Sequence, residues 1–169
     1  KNTVWSERII PAVAHHEHHK DDSSHKHNLN FSTAGKWLVR DSSNRVQFRL
    51  VQKNEKKIIA PRVTEYGTLG FDGEWETAYY LVNRTRLKQM KLLNKDAAEG
   101  TQWYEKTDGN IFTRILWNEK REIPLSIETG SLDGTTNSKI IISISSAPAK
   151  LPWNNLGNYQ AIAYEDLLD

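Results

Sequence analysis

Cysteine is absent from this sequence of 169 residues, and methionine occurs once, at Met90. Without thiols the chain can form no disulfide framework, no thiolate metal site and no thiol-based catalytic centre. No apolar run approaches the roughly 20 residues that a membrane-spanning helix needs, so we expect no transmembrane segment. The formal net charge of +2 is too small to demand a polyanionic partner, and nucleic acid is therefore not an expected ligand.

The sequence also lacks an initiator methionine, because it begins at Lys1. This start favours the mature form of a periplasmic or secreted protein after signal cleavage, or a domain trimmed of a leader or anchor. The lack of cysteine suits both cytosolic proteins and many bacterial extracytoplasmic proteins. We therefore expect a periplasmic or secreted location, with a cytoplasmic domain as the alternative.

Large aromatic side chains compensate for a modest hydrophobic content of 37%. Six tryptophans, six tyrosines and four phenylalanines supply bulky core material, and the length suits one domain. We predict a single β-rich domain over residues 1–169. It includes a histidine-rich loop at 14–30, and a C-terminal tail at 148–169 that packs on the sheet.

Two β-hairpins are the clearest local predictions. Residues 36–40 and 45–50 flank the turn-forming residues 41–44, and the second segment alternates polar with apolar side chains. Residues 102–106 and 111–117 flank residues 107–110, where Asp108-Gly109 suits the positive backbone angles of a tight hairpin turn.

Further segments complete a mainly β prediction. We expect an edge strand near the N-terminus, a short strand at 58–60 and a strand at 75–82, because these segments are rich in β-formers. Residues 85–92 fit a strand followed by a helical turn near Ala97, although Leu87, Met90 and Leu93 also fit a helical stripe. Pro124 indicates an edge or a bulge in a strand over 122–128, and the very apolar segment 139–145 predicts a central strand. The predicted fold is an antiparallel sandwich or barrel with a long N-terminal polar loop and little helix.

All six histidines lie between positions 15 and 27, and three carboxylates lie among them. Neutral imidazole is a common ligand for borderline transition metals, so the pattern predicts binding of zinc, copper or nickel. If the segment is extended, His25 and His27 share one side. If it is helical, His15 meets His18 or His19 on one face. The predicted metal ligands are His15, His16, His18, His19, His25 and His27, with Glu17, Asp21 and Asp22 as oxygen ligands or as partners that hold the imidazole rings.

The same segment does not predict an enzyme. Glu17 is followed directly by His18 and His19, which departs from the His-Glu-x-x-His spacing of zinc proteases. A serine hydrolase would need its histidine from this one loop, because the chain has none elsewhere. Incidental metal affinity of a solvated loop and a pH response near the imidazole pKa are the two alternatives to a physiological metal site.

Two functional hypotheses follow. The first is a non-enzymatic extracytoplasmic domain that binds a transition metal through the histidine-rich loop. The second is a structural or assembly component of a cell envelope, pilus, secretion or virion apparatus that acts through contacts with other envelope proteins. In the second hypothesis, exposed strand edges and the aromatic tail around Trp153 and Tyr159 would carry the function, and the histidine-rich loop would be incidental.

Overall fold

The chain is mainly β in a computed structural model that describes residues 2–9 and 31–167. Strands account for 40% and helices for 16%, and the strands form two five-stranded sheets. The predicted fold class, mainly β with little helix, is confirmed. The predicted loop at 14–30 lies outside the described residues.

Contacts between residues divide the chain into two compact units. The first unit comprises Lys1–Glu74 and Pro148–Asp169, and the second comprises Trp75–Ala147. Each unit contains one of the two sheets. The prediction of a single domain over 1–169 stays a prediction.

The first sheet contains the N-terminal strand at one edge and a strand from the C-terminal tail at the other. Its order is β1-β2-β3-β4-β10, and every pair is antiparallel except β4 with β10. The edge position predicted for the N-terminal strand is confirmed. The strands are β1 Thr3–Ser6, β2 Gly35–Arg40, β3 Val46–Gln52, β4 Lys57–Ala60 and β10 Gln160–Ala163.

The predicted turn at residues 41–44 joins β2 to β3, and hydrogen bonds to one of its own side chains stabilise it. One carboxylate oxygen of Asp41 accepts hydrogen bonds from the backbone N–H groups of Ser43 and Arg45, at 2.8 and 2.9 Å. Asn44 adopts a φ of +62°, a conformation that asparagine tolerates better than most residues. Local side-chain chemistry therefore closes this hairpin.

Phe48 on β3 is at the centre of the first unit's core and is only 2% exposed. Its ring meets the Tyr66 ring edge-on at 5.4 Å and the Phe71 ring at 5.1 Å. Both partners belong to the segment after β4, where residues Val63–Glu65 form a short 3-10 helix. This aromatic cluster fastens that segment onto one face of the sheet.

On the opposite face, Trp5 of β1 lies directly over Gly35 of β2. A Cβ atom at position 35 would be 2.5 Å from the Trp5 ring, so glycine is required for this close approach. Trp37 pairs with Trp5 across the strands, and the Arg49 guanidinium lies 4.7 Å from the centre of the Trp37 ring.

The second sheet is fully antiparallel, with the order β5-β6-β7-β8-β9. The predicted hairpin between β6 and β7 is confirmed, and Gly109 in its turn has a φ of +56°. The strands are β5 Lys91–Leu93, β6 Thr101–Asp108, β7 Ile111–Asn118, β8 Ile123–Ser131 and β9 Asn137–Ile141.

The strand predicted at 75–82 is wrong, because Trp75–Tyr80 form a short helix, α1. The Trp75 and Tyr79 rings stack at 5.5 Å, a contact between residues four apart that suits a helix and that an extended strand cannot make. Glu76 in the same helix forms an ion pair with Arg84, at 2.8 Å. These contacts override the β-propensity of the aromatic residues.

The strand predicted at 85–92 is wrong over its first half. Arg84–Lys88 form helix α2, which begins after Asn83, whose side-chain oxygen accepts a hydrogen bond from the Arg86 N–H at 3.0 Å. Leu87 is buried against Ile115 and Trp117 of β7. The helical turn predicted near Ala97 is also wrong, because no helix includes that residue.

The central position predicted for segment 139–145 is wrong as well, because β9 ends at Ile141 and has β8 as its one neighbour among the described strands. The isoleucines of β9 are exposed although they are apolar.

The bulge predicted at Pro124 is confirmed, since the β7–β8 register shifts between Leu116 and Trp117, opposite Pro124. β9 does not extend to Pro124, so the missing N–H is tolerated there.

Candidate functional site

The predicted metal ligands lie between β1 and β2, outside the described residues. They are His15, His16, Glu17, His18, His19, Asp21, Asp22, His25 and His27, and their role stays a prediction. Within residues 2–9 and 31–167, no group of three or more histidine, aspartate or glutamate side chains is placed to hold a metal ion.

The two flanks of this segment are held at one end of the first sheet. Strands β1 and β2 are antiparallel neighbours, and their last paired residues at this end are Ser6 and Lys36. Just beyond β1, Glu7 forms an ion pair with Lys53 at 2.5 Å. Lys36 donates a hydrogen bond to the carbonyl of Gly70 at 2.9 Å. The chain that carries the histidines therefore leaves and rejoins the sheet at the same end.

A cavity of about 410 Å³ opens at this end of the sheet. Gln52 lines it, and the side-chain oxygen of Gln52 is buried without a hydrogen-bond partner among the described residues. The carboxylates at its rim are already engaged, because Glu7 pairs with Lys53 and Glu55 pairs with Lys57 at 2.8 Å. The described residues of this cavity therefore do not make a metal site on their own.

The second sheet offers a different candidate, the open edge at β9. All five residues of β9 are exposed, with Ile140 at 56% and Ile141 at 72%. The backbone N–H of Ile142 points toward β8 and donates a hydrogen bond to the Leu125 carbonyl at 3.0 Å. Along a strand, successive residues direct their backbone N–H and C=O groups to alternate sides. The N–H and C=O groups of Lys139 and Ile141 consequently point away from β8.

A row of alternating charge crosses the second sheet and ends at this edge. The strand register places one charged residue of each strand beside the next, with signs that alternate from a lysine on β5 to a lysine on β9. Arg114 contacts Glu105 at 2.6 Å, and Lys139 contacts Glu128 at 2.9 Å. We call this row the charge ladder; its members are Lys91, Glu105, Arg114, Glu128 and Lys139.

The turn that leads into β9 is ordered by one carboxylate. Asp133 accepts hydrogen bonds from the backbone N–H and the hydroxyl of Thr135 at 3.0 and 2.8 Å, and from the Asn110 amide at 2.9 Å. Hydrogen bonds from the Ser131 hydroxyl, from Thr135 and from Asn110 hold the pKa of Asp133 well below its usual range. At neutral pH this ionised side chain fixes the start of β9.

Basic side chains of the first sheet are engaged with neighbouring residues. Arg45 forms an ion pair with Asp41 at 2.8 Å, and Arg49 stacks on Trp37 and donates a hydrogen bond to Gln47 at 2.7 Å. These contacts give the basic residues a structural role in the sheet.

Sequence patterns pointed to the histidines and did not point to the β9 edge. The segment 139–145 is strongly apolar, and apolar runs predict burial rather than an open edge. The charge ladder depends on the exact register of four successive strand pairings, and the sequence pattern does not determine that register.

No helix in residues 2–9 or 31–167 has the length and apolar character to cross a membrane. Comparison with models of protein families and with curated proteins finds no match to this chain.

Proposed function

We propose that this chain is a non-enzymatic extracytoplasmic domain that binds a transition metal through residues 15–27. The observation that carries the proposal is the presence of all six histidines in this one segment, with Glu17, Asp21 and Asp22 among them. Imidazole and carboxylate ligands together suit zinc, copper or nickel. With ligands this dense, the segment can capture a metal ion through several different subsets of side chains.

The scaffold supports this proposal through the flanks of the segment. Pairing of Ser6 with Lys36 holds both ends at one end of the first sheet. A tethered segment has fewer conformations than a free tail, so less entropy is lost when several ligands converge on one ion. The ion pair of Glu7 with Lys53 strengthens the N-terminal flank.

We expect titration calorimetry with Zn²⁺, Cu²⁺ and Ni²⁺ to show binding far tighter than millimolar, and deletion of residues 15–27 to abolish it. Replacing all six histidines by asparagine should have the same effect, whereas Ser23→Ala with Ser24→Ala should leave the affinity unchanged. Affinity should fall as the pH drops below about 6.5, because protonated imidazole cannot coordinate. Millimolar affinity, or unchanged affinity after the deletion, would contradict the proposal.

A second candidate function is that of a structural or assembly component that contacts other envelope proteins. The exposed β9 edge favours it, because unpaired backbone groups and exposed isoleucines form a template for another strand. Monomeric proteins commonly protect such edges from pairing with prolines, bulges or several charged residues. The sequence of β9 has one charged residue, Lys139, and no proline.

Cross-linking in the native cells tests this second candidate. We expect a cross-linker that couples lysines to trap the chain in a species of higher mass that contains a second protein. The purified chain, cross-linked at the same concentration, is the control for self-association. Recovery of the chain only as a monomer from every cell fraction would count against a protein-contact function.

A further inference from the structure

The edge of the second sheet at β9 has the properties of an acceptor for one more strand. We infer that β9 receives an extended segment of a partner protein that carries an aspartate or glutamate opposite Lys139 and apolar side chains beside Ile140 and Ile141. The inference rests on the second candidate function, the protein-contact role, and specifies the surface and the chemistry of the partner.

Backbone geometry provides the first support. The N–H and C=O groups of Lys139 and Ile141 point away from β8, and they have no hydrogen-bond partner among the described residues. A strand added here would pair with these groups as β8 pairs with the other side of β9. The added strand could pair without any rearrangement of β9, because its pairing with β8 already holds β9 in an extended conformation.

The charge ladder provides the second support and selects the partner's chemistry. Arg114 lies between two acidic neighbours, Glu105 and Glu128. Within the described part of the chain Lys139 has only one, Glu128, and its side chain is 52% exposed. An acidic residue on an added strand would continue the alternation and give Lys139 the same two-sided environment. Opposite charges directly across a pair of strands are stabilising, and like charges are destabilising.

A second copy of this chain fits the edge less well. No acidic residue occurs in β9 or between β9 and Ala147, so two β9 strands cannot place a carboxylate opposite Lys139. Pairing of β9 with β5 of another copy, with their ladders aligned, would set Lys139 opposite Lys91. Both ends of the charge ladder are positively charged lysines. Their repulsion therefore disfavours edge-to-edge pairing of the second sheets of two copies.

The apolar side chains provide the third support. Ile140 and Ile141 alternate in direction, so each exposes its side chain on a different face of the edge. Side chains of an added strand would lie directly beside both. A segment with β-branched or aromatic residues next to the acid would bury this apolar surface.

Titration of the isotopically labelled chain with synthetic peptides, followed through amide resonances, tests the inference. The probe is a short peptide of alternating threonine and valine with one central glutamate, and the matched probe has lysine in its place. We expect the glutamate peptide to shift the resonances of residues 137–142 and to bind about two- to fivefold more tightly than the lysine peptide. The difference should shrink in high salt.

Charge reversal provides the decisive control. Lys139→Glu should invert the preference so that the lysine peptide binds more tightly, and Lys139→Gln should abolish the preference. Lys106→Glu changes the net charge equally but lies on β6, away from the edge, and should leave the preference unchanged.

Three results would overturn the inference: no shift of the β9 resonances at the highest peptide concentration, equal binding of both peptides, or shifts of these resonances with protein concentration alone, which would indicate a second copy. If native cross-linking still traps a partner, these results leave the protein-contact function intact. If the peptides behave as expected and no partner is trapped, the acceptor edge stands and the protein-contact function fails.

Discussion

Phe48→Ala is expected to lower the free energy of unfolding by roughly 3–5 kcal/mol, the range for truncating a buried phenylalanine. The ring is 2% exposed and contacts the rings of Tyr66 and Phe71 at 5.4 and 5.1 Å. Its removal leaves a cavity between β3 and the segment after β4, which cannot close without moving the backbone. Because domains of this size are stable by only about 5–15 kcal/mol, much of the stability would be lost.

Urea denaturation followed by tryptophan fluorescence measures this loss, and amide exchange in β3 locates it in the first unit. Gln47→Ala is the matched control, because Gln47 is the exposed neighbour on the same strand and its truncation should change the stability by less than about 0.5 kcal/mol. Tyr66→Phe should have an intermediate effect of about 1 kcal/mol. It removes the hydroxyl that accepts from the Phe48 N–H and donates to the Val46 carbonyl. A loss for Phe48→Ala no larger than for Gln47→Ala would mean that the aromatic cluster does not hold the sheet.

The parts of the fold that the sequence predicted well are those determined by local chemistry. The turn at residues 41–44 follows from the carboxylate of Asp41, and the turn at Gly109 follows from the tolerance of glycine for positive φ. Both features depend on residues that are adjacent in the chain. The mainly β class follows from the repetition of such turns between alternating strands.

The elements that were predicted wrongly depend on contacts that a local pattern does not contain. Trp75–Tyr80 is rich in β-formers, yet the Glu76–Arg84 ion pair and the guanidinium of Arg84 over the Tyr80 ring, at 3.8 Å, favour the helix. The sequence carried two local signals for the next helix, the helical stripe of Leu87, Met90 and Leu93 and the cap at Asn83. The edge position of β9 follows from the order of strands, and an apolar run is compatible with either a centre or an edge.

The candidate sites also divide into one that the local sequence reveals and one that depends on contacts between strands. The histidine segment could be identified from the sequence, because the number and type of its ligands are visible without any structure. The charge ladder could not, since Lys91, Glu105, Arg114, Glu128 and Lys139 become neighbours only through four strand pairings. A shift of one residue in any of these pairings would move the charges to opposite faces of the sheet.

Leu87→Ala is expected to destabilise the second unit by roughly 2–5 kcal/mol, the range for truncating a buried leucine. Leu87 is 4% exposed and packs against Ile115 and Trp117. Alanine is the best helix former, so the substitution does not weaken α2 itself and the loss reports packing alone. Denaturation monitored by circular dichroism gives the magnitude, and amide exchange in β7 gives the location.

Comparison of Met90→Ala with Thr85→Ala and Gln89→Ala separates the helix from the strand that residues 85–92 could also have formed, and Lys88→Ala is the exposed control. In α2, Lys88 is exposed one position after Leu87, and alanine there should change the stability by less than about 0.5 kcal/mol. Met90 follows at the helical spacing of three residues and is partly buried against the same cluster, so Met90→Ala should have an intermediate effect. In a strand, Thr85, Leu87 and Gln89 would share one face. Large losses for Thr85→Ala and Gln89→Ala, with little loss for Met90→Ala, would therefore contradict the helix and restore the strand.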